Sequence, residues 1–157
     1  MRERKPLPAE WVNLLPRDYM KKWYEEYYSC CVYCNAAGLG QRFMHRSIEH
    51  RHDASRHYNR VLEIGANHGE HLQYVQHTFN EYFLTDIESF DKSVLPPSEK
   101  RSGLIFQSED ACKLSFPDNH FDRVLCSCVL HHVIDAETAL TELRRVLIQK
   151  GKADIFL

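Results

Sequence analysis

No run of apolar residues in this chain is long enough to cross a membrane, and the opening Met1-Arg-Glu-Arg-Lys-Pro6 leads into polar residues rather than the apolar stretch of a secretory signal. The expectation is a cytoplasmic protein with no membrane partner. A strong charge of either sign is missing too: 20 Lys and Arg stand against 22 Asp and Glu, a formal balance of −2. Without a basic excess the whole chain has no electrostatic footprint for gripping nucleic acid. Cysteines number six in 157 residues and are clustered at 30, 31, 34, 112, 126 and 128, too sparse for a disulfide framework, so they read as reduced thiols. No internal repeat is visible. What is there is 43% hydrophobic and 27% charged, an ordinary globular composition over about one domain's length.

The charge is unevenly placed. Residues 1–60 carry 11 basic and 7 acidic side chains (+4), whereas 61–157 carry 9 and 15 (−6). The texture changes near the same point, giving an N-terminal helical segment over 1–58 and an α/β domain over 59–157. In the first, a Pro-punctuated start (Pro6, Pro8, Pro16) precedes a helix over Arg17 to Ala37, where Tyr19, Trp23 and Tyr27 recur on one face. Gly38 and Gly40 are expected to end it, and a second, polar helix is expected from about Gln41 to Arg56. In the α/β domain, apolar runs at Arg60–Ile64, Glu81–Asp86, Gly103–Gln107, Phe121–Ser127 and Lys152–Leu157 read as strands. Helical patterns separate them near Glu70–Thr78 and Ala136–Leu147, with a turn at Phe116–Asn119 and Gly151 as a stop. The one loop-rich stretch is Ser93–Ser102, with Pro96 and Pro97. Such alternation predicts a doubly wound, mostly parallel sheet covered by helices, a Rossmann-like α/β fold.

The most informative stretch is Val61-Leu-Glu-Ile-Gly-Ala-Asn-His-Gly-Glu-His-Leu72, an apolar strand meeting a Gly-bearing turn that opens a helix. Gly65 and Gly69 let backbone approach a ligand closely, and Asn67 is among the few non-glycine residues that tolerate left-handed dihedrals. A dinucleotide fingerprint starting at Gly65 would need Gly where Asn67 and Glu70 stand, which disfavours a nicotinamide cofactor. Glu63 adds negative charge at the strand tip, repelling a pyrophosphate but attracting a ligand with ammonium and sulfonium groups. A tight turn without ligand is the alternative reading. Asp86 ends the next strand, where a carboxylate can accept two hydrogen bonds from a ribose diol; the alternative there is a turn or cap residue. At the third tip, Asp110 can accept from an adenine amino group and the Ala111 amide can donate to the ring.

On Val61 to Gly69, on Asp86, and on the continuous run Glu109-Asp-Ala-Cys-Lys-Leu-Ser-Phe-Pro-Asp-Asn-His-Phe-Asp-Arg-Val-Leu-Cys-Ser-Cys-Val-Leu-His-His-Val133, followed by Ala139 to Leu147 and Gly151, the sequence resembles the class I S-adenosylmethionine-dependent methyltransferases. The resemblance is closest to their small-molecule enzymes of the ubiquinone/menaquinone-biosynthesis type (type 11) and covers about Arg60 to Leu157. It implies that Gly65, Ala66, Asn67 and Gly69 pass beside the methionine moiety of S-adenosylmethionine and that Asp86, with Ile87 beside it, binds the ribose. It further implies that Asp110 and Ala111 hold the adenine, that Cys126 and Ser127 pass beneath the cofactor, and that N-terminal helices form a lid. Two departures are visible. The family's middle loop glycine is Asn67 here, and the family fold continues past its fifth strand with a helix and an antiparallel pair. A chain stopping at Leu157 therefore reads as truncated, or as a homodimer that covers its edge.

Methyl transfer is an in-line displacement in which alignment supplies much of the rate. His131 and His132, just after the fourth strand, are the candidate proton acceptors, since a neutral imidazole can take the proton of an attacking hydroxyl or ammonium; the alternative is a polar linker. The segment with His45, His50, His52 and His57 and Arg42, Arg46, Arg51 and Arg56 shows no metal-ligand spacing and reads as a solvated face, with one Arg free to meet an anion. Cys31-x-x-Cys34 is half a zinc knuckle without its other pair, so no metal is expected. Cys112, Cys126 and Cys128 read as small buried side chains. Trp11, Tyr19, Trp23, Tyr24, Tyr27 and Tyr28 read chiefly as packing, with a ring or two available to an organic cation. The expected function is an S-adenosylmethionine-dependent methyltransferase acting on nitrogen or oxygen of a small-molecule substrate. The alternative from another class is a non-catalytic cofactor-binding or interaction protein.

Overall fold

The computed structural model describes residues 36–87 and 101–156. The aromatic helix over Arg17 to Ala37, the Pro-punctuated start, the Cys31-x-x-Cys34 pair and most of the Ser93–Ser102 loop lie outside these residues. Five strands form one parallel sheet: β1 (His57–Ile64), β2 (Thr78–Asp86), β3 (Leu104–Ser108), β4 (Phe121–Ser127) and β5 (Leu147–Phe156), in the order β3-β2-β1-β4-β5. The order turns back on itself at β1, where the chain leaves for β2 on one side and later returns to β4 on the other. A ligand crevice belongs at that reversal, beyond the carboxyl ends of the strands. Strand centres are buried on both faces and therefore apolar without alternation, as in Val61–Ile64 and Tyr82–Thr85, every one of which is buried.

The faces differ. One carries Leu62, Ile64, Phe83, Val124 and Cys126 and packs on Ala139, Leu143 and Val146 of helix α2 (Ala136–Val146). That helix starts where expected, because Asp135 accepts the Glu137 and Thr138 amides at 3.0 and 3.1 Å and satisfies two otherwise unpaired donors. The other face carries Tyr58, Val61, Tyr82 and Leu84 and packs on Ala66, Leu72 and Val75 from the chain after β1. The expected helix from Glu70 to Thr78 is only a five-residue 3-10 helix, Glu70–Tyr74. The chain becomes extended at Val75, and the Arg101 guanidinium takes the Val75 and Leu72 carbonyls at 3.0 and 3.1 Å.

Three further expectations are corrected. Gly38 and Gly40 lie within helix α1 (Ala36–Glu49) rather than ending a helix before it, and α1 stops at Glu49 rather than near Arg56. Gly151 lies inside β5, which follows α2 directly. The β4–β5 register shifts between Phe121 and Arg123, and a Cβ on Gly151 would press on Leu147 and on the Asp122 carbonyl. A glycine is there for close backbone approach at a strand irregularity.

The compact unit that holds the sheet spans Arg46–Leu157, so it begins inside α1. The reason is a buried polar network that the reading of this segment as a solvated face does not anticipate. His50, Arg51, Arg56 and His57 are indeed exposed, but Glu49 and His52 are buried. Arg123 of β4, fully buried, donates to Glu49 Oε1 at 2.6 Å, to Asp154 Oδ2 at 3.0 Å and to His77 Nε2 at 2.7 Å. His71 Nε2 reaches the same Glu49 oxygen at 2.8 Å, and His52 Nε2 lies 2.8 Å from Asp154 while its Nδ1 meets the Tyr58 hydroxyl at 2.6 Å. An arginine has only donors, so His77 Nε2 must accept, and its ring proton sits on Nδ1 facing the Thr78 carbonyl at 3.3 Å.

Acid should therefore weaken the fold. Burial, then the Arg123 charge, push the His77 imidazole down from 6.5 to about 4. The unfolded chain takes up this proton near 6.5, so the folded state holds its full advantage above that pH and loses roughly 3 kcal/mol as pH falls toward 4. Burial would raise the Glu49 and Asp154 carboxyls, but their bonds to His71, His52 and Arg123 and the Arg123 charge outweigh it and hold both below the ordinary range. Their contribution is present above that range and is lost below it. Urea midpoints should thus fall between about pH 7 and pH 4, and His77→Gln, which keeps an acceptor for Arg123, should flatten the upper part of that fall.

Candidate functional site

The register of the sheet brings the tips of all five strands to one edge. Ile64 is level with Thr85 and Cys126, Asp86 with Ser108, and Ser127 with Phe156. The loop after β1 runs along that edge through three left-handed residues, Gly65 (φ 67°), Asn67 (φ 47°) and Gly69 (φ 74°). Asparagine thus takes the left-handed conformation that the sequence reading allowed for it. Its side-chain amide donates to Glu70 Oε1 at 3.2 Å, and Glu70 Oε2 accepts the His68 amide at 3.3 Å, so one carboxylate closes the loop onto the short helix behind it.

Gly65 is required twice over. Besides its positive φ, a Cβ there would overlap the side chain of Val129, which follows β4. Gly65→Ala should lower the unfolding free energy by about 2 kcal/mol, read as a lower urea midpoint, from backbone strain plus displacement of Val129.

Asp86 is bonded into the loop: Oδ2 accepts the Asn67 amide at 3.0 Å and Oδ1 accepts the Ile87 amide at 2.7 Å, while the Ile87 side chain is exposed. Two amides fix the carboxylate plane and leave further lone pairs for hydroxyl donors. At the next tip the Glu109 amide donates to the Asp86 carbonyl at 2.8 Å, tying β3's end to β2's. Asp110 closes a turn by accepting the Cys112 amide at 2.8 Å, with Ala111 buried beside it. Glu109 is buried and spends its carboxylate on Ser115 and Gln107. It is structural.

Glu63 is almost fully buried on the sheet face opposite α2, where the Tyr82 hydroxyl donates to Oε2 at 2.8 Å. Burial raises its carboxyl above the ordinary value, partly offset by His71 and by the Tyr82 bond. Cys126 is fully buried within the α2-side core, its thiol pushed up to about 12 by burial, so only its backbone borders the edge; Ser127 is half-buried next to it. Cys112 and Cys128 are half-buried, the former donating to the Asp135 carbonyl. His131 and His132 stand together on the turn after β4, ring centroids 3.8 Å apart and both exposed. Burial and the neighbouring His131 hold the His132 imidazole below its ordinary value.

The Gly65–Gly69 loop, Asp86, Asp110 and Ser127 therefore lie along the carboxyl edge, with Glu63 buried one residue before the end of β1, and Val129 links that loop to the histidine turn. Sequence reasoning missed Tyr82, Glu70 and Val129. Only Tyr82 left a signal: a phenol within a fully buried strand needs a partner for its hydroxyl. The donor set fits S-adenosylmethionine, because a buried carboxylate and a pinned, accessible one answer an ammonium and a ribose diol.

A family profile described as a methyltransferase domain matches residues 62–155. A fatty-acid O-methyltransferase from Mycolicibacterium smegmatis is 37% identical over 94 residues, covering 59% of this chain and 34% of that protein. A ubiquinone/menaquinone biosynthesis C-methyltransferase from Pseudomonas fluorescens is 34% identical over 101 residues, covering 60% and 40%. The crystal structure of the YcgJ protein of Bacillus subtilis superposes with a TM-score of 0.54 at 27% identity, over 71% of this chain and 48% of that one. The chain thus spans between a third and a half of the length of these three relatives. With the strand order, the glycine loop and the acidic tips already in place, the profile match over most of the sheet identifies the chain as a member of the methyltransferase domain family, in the class I S-adenosylmethionine-dependent, type 11 group.

Proposed function

We propose that this chain binds S-adenosylmethionine along the carboxyl edge of its sheet and serves methyl transfer to nitrogen or oxygen of a small-molecule acceptor. The observation that carries the reading is the set of acidic residues at the carboxyl ends of three adjacent strands: Glu63 one residue before the end of β1, Asp86 as the last residue of β2 and Asp110 two residues past β3, with the left-handed loop between the first two. When bound, the cofactor supplies a methyl group activated by its sulfonium, with a neutral thioether as leaving group. Glu63 would meet the ammonium of the methionine moiety, Asp86 the ribose hydroxyls, and Asp110 with the Ala111 amide the adenine. The loop would contribute backbone amides, which is why it can dispense with cationic side chains.

His131 and His132 support a heteroatom acceptor. An attacking hydroxyl or ammonium must lose a proton, and His132, whose imidazole is shifted toward its neutral form by partial desolvation and by His131, has a lone pair to receive it. Among the relatives, one is named for transfer to oxygen and another for transfer to carbon. Labelled methyl incorporation from a pool of small hydroxy and amino compounds tests the reading. His132→Ala should lower turnover by about 100-fold and leave cofactor affinity within roughly twofold. Binding without turnover toward any acceptor would favour a cofactor-binding protein that is not an enzyme.

A further inference from the structure

Tyr82 lies one strand away from the glycine loop, in the middle of β2, with no side-chain exposure. Strand register puts Tyr82 level with Val61 and Leu84 level with Glu63, so the Tyr82 ring sits one step below Glu63 on the same sheet face. From there its hydroxyl reaches up and along the sheet to Glu63 Oε2 at 2.8 Å. A phenol in a fully apolar strand position is costly unless its hydroxyl is bonded, and a phenylalanine would fill the space equally well. The hydroxyl is therefore spent on Glu63.

We propose that Tyr82 is a positioning residue: by donating to Oε2 it fixes the Glu63 carboxylate in its ionised form at the tip of β1, oriented for the ammonium of the cofactor. The proposal rests on the cofactor reading above and adds a residue that touches no ligand itself. Its chemistry is consistent on both sides. Burial raises the Tyr82 phenol well above 10, so it remains a donor at every working pH. Burial also favours the protonated form of Glu63, which could not pair with an ammonium, and a bond from Tyr82 is one of the few influences acting against that. The charged groups facing Glu63 are His71 and Glu70 from the short helix, which oppose each other, and Arg123 from β4, which is engaged by Glu49 and Asp154.

Two measurements on Tyr82→Phe test this. In the first, the carbon-13 signal of the Glu63 carboxyl is titrated in the protein without cofactor; the variant should titrate at higher pH than the unaltered chain, and coincident curves would overturn the proposal. In the second, calorimetric affinity for S-adenosylmethionine is followed with pH. The variant should bind about tenfold more weakly at the acid end of the range, and the deficit should shrink as pH rises toward neutrality while the cofactor's ammonium stays charged, since one hydrogen bond to a charged group is at stake. A loss that is the same at every pH would mark Tyr82 as merely structural. Glu63→Gln guards against a packing artefact: in that background Tyr82→Phe should have no further effect on affinity, and a full additional loss would contradict the role. If the unaltered chain binds S-adenosylmethionine at no pH, the cofactor reading fails and this role fails with it. If the unaltered chain binds and only the variant's pH profile stays unchanged, the role of Tyr82 alone fails.

Discussion

Replacing Arg123 by leucine is expected to lower the unfolding free energy by about 3–5 kcal/mol, read from urea denaturation near pH 7. Size does not explain the figure, because leucine would fit a buried strand position. The cost comes from what Arg123 leaves behind: Glu49 and Asp154, both buried, lose the donors at 2.6 and 3.0 Å that hold them ionised, and His77 Nε2 loses its donor at 2.7 Å. Each carboxylate then keeps only a histidine partner, His71 for Glu49 and His52 for Asp154, and must either stay charged at higher cost or take up a proton. Removing the whole set should behave differently. A triple variant, Glu49→Leu with Arg123→Met and Asp154→Leu, should recover part of the loss, because desolvating the ions costs as much as their pairing returns, while buried His52, His71 and His77 still lose their partners. Equal destabilisation in the single and triple variants would show that packing, not uncompensated charge, dominates at Arg123.

Asp86→Ala is expected to weaken S-adenosylmethionine binding by about 100-fold or more, measured by calorimetry. Two losses combine. The acceptor for the ribose diol disappears, and so does the carboxylate that fixes the Asn67 and Ile87 amides at 3.0 and 2.7 Å, which frees the loop that lines the rest of the site. Asp86→Asn separates them. An amide oxygen can still accept one backbone donor, so the loop keeps part of its anchor while the charge is gone, and the loss should shrink to about tenfold. Thermal stability should change little in either variant, since Asp86 is only half-buried at the sheet's edge.

Much of this arrangement was legible in local sequence. The runs Arg60–Ile64 and Phe121–Ser127 read as strands because parallel strands are covered on both faces and carry mostly apolar residues, and the helical pattern near Ala136–Leu147 matches α2. Asp86 and Asp110 could be placed because strand ends in such a sheet share an edge. What stayed hidden depends on partners distant in the chain. Glu49 and His52 look solvated until Arg123, 74 residues from Glu49, and Asp154, 31 residues from Arg123, are folded onto them. Gly38 and Gly40 look like a helix stop, yet a helix tolerates each at about 1 kcal/mol, and α1 runs through both. Gly151 looks like a stop for a different reason: only the sheet reveals that Leu147 and the Asp122 carbonyl leave no room for a side chain. The helix expected after Glu70 was lost to a competing demand, since His77 must reach Arg123 and β2 begins at Thr78.

The most direct trial of this picture is a crystal structure with S-adenosylhomocysteine, the demethylated cofactor. Its ribose hydroxyls should lie within hydrogen-bond reach of Asp86, its adenine against Asp110 and Ala111, and its amino group over the Gly65–Gly69 loop beside Glu63. A nucleoside bound away from the carboxyl edge, with Asp86 still holding only the Asn67 and Ile87 amides, would contradict it.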